Sequence, residues 1–279
     1  MGAAETMRVI SYGGGVQSTA LLIMAANRNP EFEQAMGGQC VTALFSNVGD
    51  DSEDPASLEW IRNVTLPWAA QRGVWVRELQ RRKRDGQIET LWQRLNKPES
   101  RSIDIPIRMD NGSPGNRRCT HDFKIAVIGK FLKQYGANAD NPATVAIGFS
   151  TDEMHRANRK KAMPYETPVY PLLEMGWDRS RCQQLIVDTF GRGAPKSSCF
   201  FCPFHRPQTW AEMRRDRNEL FVKSVELEKT INIKREKLGK DKVWLTKFAQ
   251  PLDVAVGEAQ TPLFFEEGPE GCDDGACWT

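Results

Sequence analysis

Ser11-Tyr12-Gly13-Gly14-Gly15-Val16-Gln17-Ser18-Thr19-Ala20-Leu21-Leu22 is the stretch on which the rest of the chain hangs. An apolar run, Met7 to Ile10, precedes it, and another, Ala20 to Ala26, follows. That order predicts a strand, a glycine loop and a helix that starts near Ser18. Three glycines leave the backbone bare, so its N–H groups can crowd round an anion, and the helix adds its positive end. A phosphate-binding loop is the natural reading; a glycine turn without a ligand is the bland one. A Walker A loop would close with Gly-Lys-Ser/Thr, and no lysine stands here. The dinucleotide fingerprint accepts Gly13 and Gly15 but meets Ser18 at its third position. It also needs an acid at the end of the second strand, where Val41–Phe45 runs instead into Ser46-Asn47.

Working outward, residues 7 to 79 alternate strand and helix. The predicted strands are Met7–Ile10, Val41–Phe45 and Val74–Val76, with helices from Ser18 to about Arg28 and from Pro55 to Arg72. This alternation predicts an α/β fold, a doubly wound parallel sheet that binds ligands at its carboxyl edge. The acidic loop Asn47-Val48-Gly49-Asp50-Asp51 would then face the same crevice as the glycines. Thr144–Phe149 reads as a buried strand leading into Ser150-Thr151-Asp152-Glu153-Met154-His155-Arg156-Ala157. A helix is expected over Ser180–Phe190. Thr209-Trp210-Ala211-Glu212 reads as a capping box that opens one long charged helix to about Leu238. Residues 80 to 118 are polar, with the basic run Arg81–Arg84, and read as a surface insertion.

Composition narrows the function classes. The 279 residues allow one large domain or a domain with an appendage, and the net charge of +2 gives no bulk argument for nucleic acid. There is no run of about 18 apolar residues and no basic-then-apolar leader, so a cytoplasmic protein without a membrane span is expected. Seven cysteines, two of them spaced Cys199-x-x-Cys202 beside His205, favour metal or redox chemistry over a disulfide framework. Cys119 falls where a helix begins, flanked by Arg117, Arg118 and Lys124, a setting that favours thiolate. Cys199, Cys202, His205 and Cys119 could together make a closed zinc site. Cys272 and Cys277 sit in an acidic, glycine-rich tail whose charge disfavours thiolate.

The glycine loop resembles the PP-loop of the ATP pyrophosphatase (adenine-nucleotide α-hydrolase) superfamily, S-G-G-x-D-S, at Gly14, Gly15 and Ser18. Gly13 stands for the usual first serine and Gln17 for the usual aspartate. The Cys119-Thr120…Lys124 element and the Gly148…Asp152-Glu153…Arg156-Ala157 element resemble those of the phosphoadenosine phosphosulfate (PAPS) reductase-like branch, which includes the DNA phosphorothioation protein DndC. Asn47-Val48-Gly49-Asp50 partly matches that branch's D-T-G loop. The resemblance covers about residues 8 to 205. It implies a PP-loop nucleotide-binding domain over 1–195, followed by the C-x-x-C segment, a long helix and a cysteine-containing tail over 196–279.

What the resemblance implies about function is ATP-dependent sulfur transfer. Ser11, Gly13, Gly14, Gly15, Gln17, Ser18, Asn47, Asp50, Gly148, Asp152, Glu153 and Arg156 would hold ATP with Mg²⁺, or a sulfonucleotide. Cys119, Cys199 and Cys202 would hold a 4Fe–4S cluster, with zinc, joined by His205, as the alternative. Cys119, Lys124, Cys272 and Cys277 are the candidate catalytic residues. A sulfur donor such as a cysteine desulfurase and a nucleic-acid or small-molecule acceptor are the implied partners, and a homodimer is compatible with them. APS or PAPS reduction is the second reading, and a non-catalytic zinc-containing nucleic-acid-binding module the third.

Overall fold

The computed structural model describes residues 6–98, 100–157 and 162–257. Cys272 and Cys277 therefore lie outside the described residues. Five strands form one parallel sheet: β1 (Arg8–Tyr12), β2 (Thr42–Asn47), β3 (Trp75–Gln80), β4 (Ala143–Ala146) and β5 (Glu166–Val169), in the order β3-β2-β1-β4-β5. The order reverses on either side of β1, so the glycine loop leaves the sheet at its switch point, where ligands of such sheets bind.

Helices cover both faces. Successive side chains of a strand point to opposite sides. Ile10, Tyr12, Ala43, Phe45 and Ala146 share a core with α1 (Val16–Ala26), α2 (Pro30–Met36) and, further along, α10 (Arg179–Phe190). Their neighbours Val9, Leu44 and Val145 pack on the other face against Ile128 and Leu132. The predicted second helix is α3 (Pro55–Glu59), a π-helical turn (Trp60–Thr65) and α4 (Leu66–Ala70) in succession. Asp54 caps it, accepting from the Ala56 N–H at 3.0 Å, and Pro55 supplies a first-turn residue that needs no N–H partner.

The polar insertion is more than surface. It carries α5 (Leu91–Asn96) and leads to α6 (Arg118–Thr120), a π-helical turn (His121–Ile125) and α7 (Ala126–Gln134). Leu91, Leu95, Ile105 and Ile107 are buried in a third core with Phe123, Phe201, Trp210, Leu227 and Leu245. That core joins the insertion to α11 (Pro207–Asp216), α12 (Asn218–Lys237) and α13 (Leu252–Ala255). The short helices α8 (Met154–Ala157) and α9 (Pro171–Glu174) complete the chain between β4 and α10.

Two local expectations are corrected. The helix after His205 begins at Pro207 rather than at a Thr209 cap, because proline at the first helical position starts it earlier. It also breaks at Arg217 (φ −143°, ψ 53°), so one long helix becomes two. The capping box that does form is at Thr90 and Gln93, where α5 starts. No helix among the described residues is long and apolar enough to cross a membrane.

Candidate active site at the carboxyl edge of the sheet

The glycine loop emerges between β1 and α1. Gly15 is the residue before α1 and offers no side-chain cap, so the first-turn N–H groups of this 11-residue helix keep their field for a ligand. Ser18 instead closes the loop on itself: the Gly13 N–H donates to its Oγ at 3.2 Å, and that hydroxyl donates to the Gly15 carbonyl at 3.2 Å. Gly14 has φ +73°, and a Cβ there would come within 2.6 Å of Ile61. Ser11 is buried, and its Oγ has no hydrogen-bond partner. Bare glycines, an uncapped helix start and an orphaned hydroxyl are a fit for phosphate oxygens.

The Asp152 element lies against the same helix start. Gln17 Nε2 donates to Ser150 Oγ at 3.4 Å and to Glu153 Oε2 at 3.3 Å. Glu153 Oε1 accepts from Arg156 Nη1 at 2.8 Å, and both side chains are buried. Asp152 Oδ2 accepts from Ser150 Oγ and from the Arg179 N–H, and Arg179 Nη1 donates to Gln17 Oε1 at 3.2 Å. Gln17 thus sits between a carboxylate and a guanidinium, a position that its neutral amide can serve in both directions. Gly148 allows this close approach: a Cβ on it would stand 3.0 Å from the Gln17 carbonyl carbon and from the Ser18 nitrogen. Glu153 thus bonds the first turn of α1 through Gln17, and Arg156 holds Glu153 in place.

Asn47 ends β2 at the carboxyl edge of the sheet, and Asp50 lies in the loop that follows. Asn47 Oδ1 accepts from the Gly49 N–H, and its Nδ2 donates to Asp50 and Glu78, each contact 2.7 Å. Arg62 binds Asp50 and Glu78 together, and its guanidinium holds the Asp50 carboxyl below the usual range. Asn47 therefore orders the loop, and Asp50 carries a partner already.

The C-x-x-C segment folds back onto this edge. The Asp54 N–H donates to the Ser198 carbonyl, the Phe200 N–H to the Ser52 carbonyl, and Ser57 Oγ to the Lys196 carbonyl. Ser197 Oγ donates to the Gly13 carbonyl, so the cysteine loop touches the glycine loop directly. From the other side, Ser46 Oγ donates to the Phe123 carbonyl at 2.6 Å, which fixes the Cys119 turn at the end of β2. The result is one cavity of about 30 Å³ lined by Cys119, Cys199, Cys202 and Lys124 among mainly apolar neighbours. Among the described residues, no three His, Cys, Asp or Glu side chains are placed to hold a single metal ion. A tetrahedral zinc needs ligands converging on a point. As a donor set, the three thiols that line this cavity are soft ligands, of the kind that zinc and iron–sulfur groups take.

His205 has another place. Its Nε2 donates to the carbonyls of Cys199 (2.9 Å) and Phe200 (3.1 Å), and its ring packs edge-on against Trp210. Burial pushes its pKa down to about 3, so the ring stays neutral and braces the turn that presents Cys199. It is not among the residues that line the cysteine cavity.

Several participants carry no signal in the sequence. Glu53 is buried, accepts from the Val48 N–H at 3.3 Å, and is held above the usual carboxylate range by burial, against the opposing charge of Lys124. Ser197 and Arg179 are ordinary residues in sequence and become part of the site only through contacts across the chain.

Compared with known proteins, the chain matches no described family, and no curated protein or solved structure is detectably similar to it. Its architecture is that of an α/β protein with a parallel sheet of order 3-2-1-4-5, consistent with Rossmann-like and nucleotide α-hydrolase folds.

Proposed function

We propose that this protein is an ATP-dependent sulfur-transfer enzyme of the PP-loop, PAPS reductase-like type. The observation that carries the reading is the contact of the two loops: the glycine loop and the three-cysteine cavity share one sheet edge, joined through Ser197 and Gly13. Gly13–Ser18 and the start of α1 would hold the phosphates of ATP, accompanied by Mg²⁺. Attack of an acceptor oxygen on the α-phosphate adenylates the acceptor and releases pyrophosphate. Lys124, at the cavity wall, supplies positive charge where thiolate and phosphate meet. Sulfide-level sulfur from the donor, held at the cavity, then attacks the activated centre; the new bond to sulfur replaces the bond to the acceptor oxygen, which leaves as part of AMP. When bound, a cluster on Cys119, Cys199 and Cys202 would supply an iron with an open position for that sulfur.

Anaerobic purification with iron, sulfide and zinc analysis tests the cavity. About four irons per chain, with an absorption band near roughly 400 nm that is lost in Cys199→Ala, supports the reading. One zinc per chain without iron sinks the cluster. Release of AMP and pyrophosphate from ATP tests the glycine loop. A protein that turns over only APS or PAPS is a reductase instead.

A further inference from the structure

We infer that Arg108 and Arg117, held over the ring of Phe204, form an oxyanion-binding site at the mouth of the cysteine cavity, for a phosphate or sulfate group of the acceptor. The guanidinium carbons of Arg108 and Arg117 stand 5.2 and 5.0 Å from the Phe204 ring centroid. The two guanidinium carbons are therefore at most about 10 Å apart. Among the described residues, neither arginine makes an ion pair with a carboxylate. Two guanidiniums held on one aromatic ring, with no carboxylate partner, form a cationic patch to which an oxyanion can bind.

Arg108 is the better defined of the two. Its backbone is pinned on Trp244, donating to and accepting from it at 2.8 Å. Nη1 donates to the Gly112 carbonyl at 3.2 Å, while Nε is buried without a hydrogen-bond partner. A buried guanidinium donor left unsatisfied is costly, and a bound oxyanion would satisfy it. Chain connectivity sets the pair beside the cavity: Pro106, Cys119 and Pro203 line it, and each is within two residues of Arg108, Arg117 or Phe204.

The assignment rests on the proposed reaction only for what the anion belongs to. A nucleic-acid backbone and a free nucleotide present the same chemistry, and the experiment separates them. The probes are a fluorescein-labelled single strand of about 12 nucleotides, adenosine monophosphate and inorganic sulfate. Each is titrated against the full chain and against the R108Q/R117Q double variant. ATP affinity, measured in parallel, reads the glycine loop. A tenfold or greater loss of oligonucleotide affinity, with a salt slope shallower by about 1.4, supports the site and names a nucleic acid. A comparable loss confined to adenosine monophosphate or sulfate supports the site with a small-molecule acceptor. R108K/R117K keeps both charges but loses the guanidinium donors, so it is expected to keep the salt slope of the wild type while recovering only part of the affinity, which separates charge from misfolding. Equal affinities in wild type and R108Q/R117Q for every probe, or no binding of any probe by the wild type, overturns the inference. A wild type that binds the oligonucleotide through these arginines but does not bind ATP overturns the proposed function and leaves this site standing.

Discussion

Gly148→Ala puts the link between packing and the glycine loop to a direct test. The added Cβ would meet the Gln17 carbonyl carbon and the Ser18 nitrogen at 3.0 Å and Gln17 Cβ at 3.1 Å. Carbon contacts are comfortable at about 3.5–4.0 Å, so backbone must separate from backbone by roughly half an ångström. Neither side yields easily. Nearly every residue of α1 is buried, and β4, which leads into Gly148, is paired with β1 and β5. Overpacking of this kind costs about 1–3 kcal/mol. Urea unfolding should show the midpoint falling by that amount with an unchanged slope. The displaced Gln17 would also leave Ser150 and Glu153, which shape the loop start. About 1.4 kcal/mol of lost loop geometry weakens ATP tenfold, and isothermal titration would read it. An unchanged urea midpoint would refute the packing argument. Lost stability with unchanged ATP affinity would refute its connection to the nucleotide.

Two further outcomes concern the C-terminal helices. Arg217, at the break between α11 and α12, donates to Asp54 at 2.6 Å, and the Asp54 side chain is 9% exposed. A double-mutant cycle with Asp54→Ala and Arg217→Ala should give a coupling of about 1–3 kcal/mol, and a value near zero would remove this link between the acidic loop and the helical region. Glu228 accepts from the N–H groups of Leu245 (2.6 Å) and Leu252 (2.8 Å), yet burial pushes its pKa up to about 7. Because the folded value is raised above the ordinary 4.5, its contribution is fully present below pH 4.5 and is lost as pH rises through 7. The loss is about 3 kcal/mol, read as urea midpoints falling between pH 5 and 8. A Glu228→Gln variant with the same pH dependence as wild type would exclude Glu228 as its source.

The alternation of strand and helix was legible in the chain's local pattern, which also marked the glycine loop at Gly13–Gly15 and the C-x-x-C turn as candidate sites. These are local properties: apolar runs, glycine spacing and a C-x-x-C turn are set by neighbours a few residues apart. It also placed the loops correctly at the carboxyl edge, because a parallel α/β sheet puts every such loop there. Which loops touch is settled by packing across the chain. Ser197 reaching Gly13, Gly148 yielding to Gln17, and Arg179 bonding Gln17 are contacts between distant segments, fixed by packing and not by propensity. The polar insertion illustrates the limit. Its charged residues hide Leu91, Leu95, Ile105 and Ile107, which become a core only when α11 and α12 cover them. His205 has the residue type and spacing of a ligand, but burial and two carbonyl acceptors turn it into a brace for Cys199. Cys119 lines one cavity with Cys199 and Cys202 because the end of β2 anchors one turn and the acidic loop anchors the other, an arrangement that no local pattern encodes.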